Sequence, residues 1–191
     1  GKGPLTDPSH YGGIFNFNDT QLLRSIFPSA ITQVSEIHVA SQIYEGLVRF
    51  DAQDLSIAPS LAESWTVDST REVYTFNLRK EVRFQDDPAF DGGDGREVTA
   101  EDVVRCFTAL CKMDYGGQSC RTFRDRVIGG TAEKADEVAG IQAVDDRTVR
   151  IMLKEPSPSF LQTLADPGCW IYPQELLRTY GHDLSHHAIG T

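Results

Sequence analysis

No apolar run in the sequence exceeds the four residues 169–172, so no segment is long enough to cross a bilayer as a helix. Cysteine is scarce, with four at positions 106, 111, 120 and 169, which excludes a disulfide-dense scaffold. No C-x-x-C is present, so the usual spacing of structural zinc and of thioredoxin-type redox chemistry is missing. Positive charge is also short. Eighteen Lys and Arg stand against 28 Asp and Glu, a formal net charge of −10 with no basic stripe, which is a poor match for nucleic acid or an anionic membrane. Sixteen Gly and nine Pro in 191 residues are an ordinary load and exclude fibrous and low-complexity classes. G-x-S-x-G, H-E-x-x-H and G-x-x-x-x-G-K are all missing, and with them the common signatures of hydrolases, zinc peptidases and nucleotide-binding loops. Gly1-Lys2-Gly3-Pro4 offers no apolar signal-peptide core, so a targeting segment either was removed or never existed.

What is present is the composition of a folded globular chain, 40% hydrophobic and 24% charged. Residues 14–17 read as a short strand that breaks at Asn18-Asp19-Thr20. Ser35 can cap a helix carrying Ile37, Ala40, Tyr44 and Leu47 at three-to-four-residue spacing. An extended segment at 47–50 and a turn at 51–54 follow. Between 73 and 78, Tyr74, Phe76 and Leu78 alternate with Thr75 and Asn77, so a hairpin with one wet face is expected with Trp65 and Val67. Thr99 and Asp102 stand at capping-box spacing before the apolar stripe Val103, Phe107, Leu110 and Cys111. A second hairpin is expected from 141–144 and 149–153, turning at Asp145-Asp146. Ser157-Pro158 opens a short helix, 169–172 is extended, and 173–180 is a helix that Gly181 can end. Strand and helix signals alternate irregularly, which predicts an α+β fold.

Chemistry is thinly marked. The acidic, glycine-rich stretch 86–95 invites a calcium reading, but from Asp91 the third and fifth positions are Gly93 and Gly95, and from Asp86 the third is Pro88. It reads instead as a solvated loop. His182, His186 and His187 lack a recognisable completing ligand and read as a surface connection, so no metal site is expected. Asn18-Asp19-Thr20 is a glycosylation sequon of the commonest chance form. Tyr44, Trp65, Tyr74 and Phe76 have no basic residues between them and read as core. On residues alone, a binding domain is favoured over an enzyme.

Several segments together resemble one family, the extracytoplasmic solute-binding proteins of bacterial peptide and nickel ABC importers (solute-binding family 5). Gln42-Ile43-Tyr44-Glu45-Gly46-Leu47-Val48-Arg49-Phe50-Asp51 is similar to that family's first helix-to-strand passage. Pro59-Ser60-Leu61-Ala62-Glu63-Ser64-Trp65 matches the next segment, and residues 74–84 its signature hairpin. Val98-Thr99-Ala100-Glu101-Asp102-Val103-Val104 matches the following helix, with Asp145-Asp146-Arg147-Thr148-Val149 and Ala188-Ile189-Gly190-Thr191 later in the same order. Glu81 departs from the pattern, standing where the family usually has Gly.

The resemblance implies the N-terminal portion of a two-lobed periplasmic-binding-protein fold, type II-like. Residues 1–34 and 156–191 would be pieces of the first lobe, and 35–155 the small extra α+β domain. It implies an extracytoplasmic (periplasmic) receptor that captures an oligopeptide or similar small solute for a membrane permease, with no cofactor and no catalysis. Membrane association would run through the permease or a lipid anchor. The alternatives are a ligand sensor of the same fold signalling to a membrane partner and, remotely, a hydrolase on an unrelated α+β fold. The cleft-facing stretch that follows the first strand is Asn18, Asp19, Thr20, Gln21, Leu22 and Leu23, where backbone groups could pair with an extended peptide. An extracytoplasmic location would also permit a disulfide. Cys111 ends the Thr99 helix and Cys120 follows the Gly116-Gly117 turn, so these two are the expected pair, with Cys106 and Cys169 unbridged.

Overall fold

Alternation of apolar residues builds the main sheet. Four antiparallel strands lie in the order β3-β4-β6-β5, with β3 at Ala62–Val67, β4 at Val73–Leu78, β5 at Ile141–Asp145 and β6 at Thr148–Met152. The structure, a computed structural model, describes residues 24–31, 33–112, 118–132, 137–181, 183–185 and 187–191. In β4 every second residue, Tyr74, Phe76 and Leu78, is buried. Tyr74 lies opposite Ile151 and Phe76 opposite Val149, so the two central strands present one continuous apolar face. Both expected hairpins form. The Asp68 carboxylate holds the first turn by accepting the Glu72 and Val73 N–H groups, both at 3.0 Å. Asp145 holds the second by accepting the Arg147 N–H at 2.8 Å.

Helix α2 (Ala100–Lys112) covers that face with Val103, Phe107 and Leu110. As the spacing predicts, Asp102 folds back on the start of this helix, accepting the Thr99 N–H at 3.0 Å and its hydroxyl at 3.1 Å. Helices α3 (Gln118–Arg126) and α4 (Phe160–Leu164) close the end of the core through a run of rings. Phe107 meets Phe123 at 4.8 Å between centroids, Phe123 meets Phe160 at 6.0 Å, and Phe160 meets Tyr74 at 5.0 Å. Each such pair adds about 0.5–1.5 kcal/mol beyond its area burial. A small hairpin, β1 (Val48–Phe50) with β2 (Ile57–Pro59), and helices α1 (Val34–Ala40) and α5 (Gln174–Tyr180) complete the fold.

The departures from expectation have local causes. The cap of α1 is Gln33, not Ser35, because Glu36 accepts the Gln33 N–H at 3.1 Å and Ser35 is buried inside the first turn. The helix stops at Ala40 and not near Leu47, since Glu45 is drawn into an antiparallel bridge with Ile171. Helix α3 was not expected at all; its sequence is strongly polar, and among residues 120–126 Cys120 and Phe123 are buried. Cys169 closes a 3-10 turn, Pro167–Cys169, and extended chain begins one residue later. All four cysteines are buried thiols in this structure, Cys111 and Cys120, the pair expected to bridge, among them. Glu81, which departs from the pattern of the resemblance, adopts φ 60, so the turn is left-handed at this residue and bears the strain. The strand expected at 14–17 lies outside the described residues.

Candidate functional site

The structure picks up the chain one residue after the cleft-facing candidates. Asn18, Asp19, Thr20, Gln21, Leu22 and Leu23 lie outside the described residues, and Arg24 is the first that is described. There the chain is held by a single side chain. Glu36, fully buried in the first turn of α1, accepts the Arg24 N–H at 3.0 Å and the Ser25 N–H at 3.4 Å on one oxygen, and the Gln33 N–H on the other. A carboxylate shared by three backbone donors fixes both ends of the 24–33 segment against the same helix. Phe27 then packs on Tyr172, centroids 4.8 Å apart, and the turn Pro28–Ala30 rests on the turn Pro167–Cys169. The segment that leads out of the candidate stretch is thereby seated.

A cavity of about 370 Å³ opens beside this seat, between α1, β1 and residues 165–170. Ile37, Tyr44, Phe50 and Trp170 give it apolar walls, and Ser41 and Arg49 stand among them. Arg49 is committed to the Pro59 carbonyl at 3.2 Å, and Glu45 to Arg79 at 2.8 Å. A wider groove of about 820 Å³ runs between α2 and β5, where Arg105 pairs with Glu101 at 3.1 Å and also bonds Gln174.

One charged cluster ties the tail of the chain to the helix on the sheet. Arg96 donates to both oxygens of Asp102, at 2.7 and 2.6 Å, and to both of Glu175 in α5, at 2.9 and 3.0 Å. Its guanidinium also lies 5.2 Å from the centre of the Phe84 ring. Asp102 hydrogen bonding, ahead of Glu175, holds the Arg96 guanidinium even more firmly protonated than usual. Burial pulls the Glu175 carboxyl upward, but the Arg96 bonds outweigh it and leave the group below its ordinary range. Sequence could show the Thr99–Asp102 spacing; an Arg96–Glu175 pair separated by 79 positions left no local signal.

The thiols are poorly placed for nucleophilic work. Burial pushes Cys106 up to about 12 and Cys111 likewise, so neither supplies thiolate at neutral pH. In the acidic loop, Asp86 accepts the Gly95 N–H at 2.9 Å, while Asp87 accepts the Ala89 N–H at 2.8 Å and the Tyr180 hydroxyl at 2.9 Å. Those carboxylates build their own loop, as its sequence suggests. Among the described residues no three His, Cys, Asp or Glu side chains converge as metal ligands. His182 and His186 lie outside the described residues, and His187 stacks on Tyr180 at 4.0 Å and faces Asp183 at 3.9 Å. Of the aromatic residues, Tyr44, Tyr74 and Phe76 are core, and Trp65 is partly buried against Phe76.

Comparison with known proteins bears on this arrangement. The family model of bacterial extracellular solute-binding proteins, family 5 (middle region), matches residues 56–191. A "probable deoxycholate-binding periplasmic protein" of Escherichia coli is 25% identical over 187 residues, covering 95% of this chain and 33% of that protein. The periplasmic oligopeptide-binding protein of the same organism is 29% identical over 171 residues, 86% of this chain and 29% of its own. Among solved structures, a peptide-bound oligopeptide-binding protein of Listeria monocytogenes superposes with a TM-score of 0.76 at 23% identity, covering 90% of this chain and 33% of that one. The chain therefore spans about a third of the length of the relatives it matches, and its α+β fold is the corresponding portion of theirs.

Proposed function

Since the chain belongs to the bacterial extracellular solute-binding proteins of family 5, we propose that it is part of an extracytoplasmic receptor of an ABC importer. It captures an oligopeptide, or a solute of similar size, and presents it to a membrane permease without chemical change. The observation that carries this reading is the family match over residues 56–191. A buried carboxylate, Glu36, seats residues 24, 25 and 33 on α1, directly after the candidate stretch 18–23 in sequence. The names of the relatives, an oligopeptide binder and a deoxycholate binder, support a cleft whose occupant varies over one scaffold. The division into lobe pieces at 1–34 and 156–191 around a small domain at 35–155 belongs to the same proposal.

Ligands held between two walls owe their affinity to contacts that exist only when both walls close on them. Residues 1–191 supply one wall at most. Losing several charge-assisted bonds of about 1.5–3 kcal/mol each moves a micromolar site beyond the millimolar range. Calorimetry with a mixed tripeptide library is the test. Residues 1–191 alone should give no signal, and a chain extended through the remainder of the relatives' length should bind. Micromolar binding by residues 1–191 would refute the two-wall picture.

A further inference from the structure

Three of the four thiols gather where α2, α3 and the turn Pro167–Cys169 meet, and the proposed function uses none of them. Cys120 on α3 and Cys169 at the end of the turn are both buried. The Cys120 sulfur is pressed against the turn so closely that a Cβ added at Gly168 would stand 2.9 Å from it. Glycine at 168 is what lets that sulfur approach the chain one residue from Cys169. Of the ionisable groups around Cys169, Cys120 acts on it most strongly, ahead of Asp166 and Cys111. Cys106 lies apart, and Cys111 acts on Cys169 less strongly than Cys120 does. Cys106 donates to the Tyr172 carbonyl at 3.2 Å, and the Arg124 and Lys154 charges act on Cys111, against the upward push of its burial.

We propose that Cys120 and Cys169 form a disulfide that staples α3 to the Pro167–Cys169 turn. Each thiol loses its hydrogen, and one S–S bond replaces two S–H bonds. The two electrons and two protons pass to an external disulfide, either a dithiol–disulfide exchange protein or oxidised glutathione, which is reduced to two thiols. Exchange needs a thiolate and access, and Cys169, with no exposed surface in the folded chain, has neither. The bond therefore forms while the chain is folding, before the ring cluster around Phe123 closes over it, and is shielded from reductants afterwards. Its physiological setting rests on the extracytoplasmic reading above; its chemistry depends only on the redox potential.

The test is refolding from denaturant in a glutathione buffer poised at an oxidising potential, followed by alkylation, trypsin and mass spectrometry. Cleavage after Arg105, Lys112, Arg121, Lys154 and Arg178 separates the thiols cleanly: 106–112 carries Cys106 and Cys111, 113–121 carries Cys120, and 155–178 carries Cys169. The expected product joins 113–121 to 155–178, lighter by two hydrogens than the sum and lost on reduction. The oxidised chain should also unfold at a higher urea concentration than the reduced chain, a shift that Cys111→Ser keeps and Cys169→Ser abolishes. A cross-link that involves 106–112, or alkylation of all four cysteines after oxidative refolding, overturns the proposal. Because the buffer sets the potential, that failure would leave the importer reading untouched, and failure of peptide binding would leave this one untouched.

Discussion

Replacing Arg96 with methionine removes the cation and leaves most of the side-chain volume. It breaks five hydrogen bonds at once, two to Asp102, two to Glu175 and one to the Glu97 carbonyl. The consequences for the two carboxylates differ. Glu175 keeps 19% of its side chain in solvent and can be rehydrated, whereas Asp102 keeps 4% and is left with only the Thr99 N–H and hydroxyl. Stranding a fully buried charge costs about 3–5 kcal/mol. Because a third of the Arg96 side chain is itself exposed, water reaches the site, and the expected cost falls to about 2–3 kcal/mol. For a chain of this size that is a fall of about 5–10 °C in melting temperature. Urea denaturation followed by circular dichroism measures it, with a second arm that tests the mechanism. In the Arg96→Met background, Asp102→Asn removes the stranded charge and should recover part of the loss. Acid supplies a third. The Glu175 carboxyl is depressed in the folded chain, so its stabilisation is complete above the unfolded value near 4.5 and disappears as pH falls through the lower, folded value. The wild type should lose more stability than Glu175→Gln on acidification through that window. If Arg96→Met costs under about 0.5 kcal/mol, or Asp102→Asn recovers nothing from it, the cluster does not clamp the tail as described.

Two further substitutions probe the anchor and the strained turn. Glu36→Gln keeps the shape but gives up one of two acceptor oxygens, so a loss of about 1–3 kcal/mol is expected, with faster hydrogen exchange at Arg24 and Ser25; unchanged exchange at those amides would show that the helix holds the segment without the carboxylate. Glu81→Gly relieves a left-handed residue at the cost of a looser unfolded chain, for a net gain of about 0.5–1 kcal/mol; a lower urea midpoint would show that the turn depends on the Glu81 side chain.

How much of this could be read from the chain alone varied with the range of the interaction. Tyr74, Phe76 and Leu78 announced their strand because a sheet with one covered face imposes a period of two on neighbouring residues. Thr99 and Asp102 announced the start of α2 because a cap is satisfied within four residues. The end of α1 was hidden. Tyr44 and Leu47 continue the helical spacing, and what stops the helix is the pairing of Glu45 with Ile171, invisible to any local window. Helix α3 was hidden for the opposite reason, since its polar sequence buries little and owes its place to Cys120 and Phe123. At the candidate site, Glu36 was legible in principle as an acidic residue three places after Gln33, but its reach to Arg24 and Ser25 was not.

The bridge between Glu45 and Ile171 also sets an order of events during folding. The Ile171 N–H donates to the Glu45 carbonyl at 2.9 Å, and the Thr191 N–H to the Ile43 carbonyl at 3.2 Å. Gly190 lies so close over Ile43 that an added Cβ would come within 1.6 Å of its carbonyl oxygen. The exit from α1 therefore cannot settle until residues 171–191 have emerged, although the sheet and α2 between them can assemble earlier. Contacts of such long sequence separation form late, because loop-closure entropy must be overcome before they reward it. A polypeptide emerging from its N-terminus would keep the exit of α1 open until residue 191 has appeared. Until then that segment remains threadable, where a helix whose partners lie next door would already have locked.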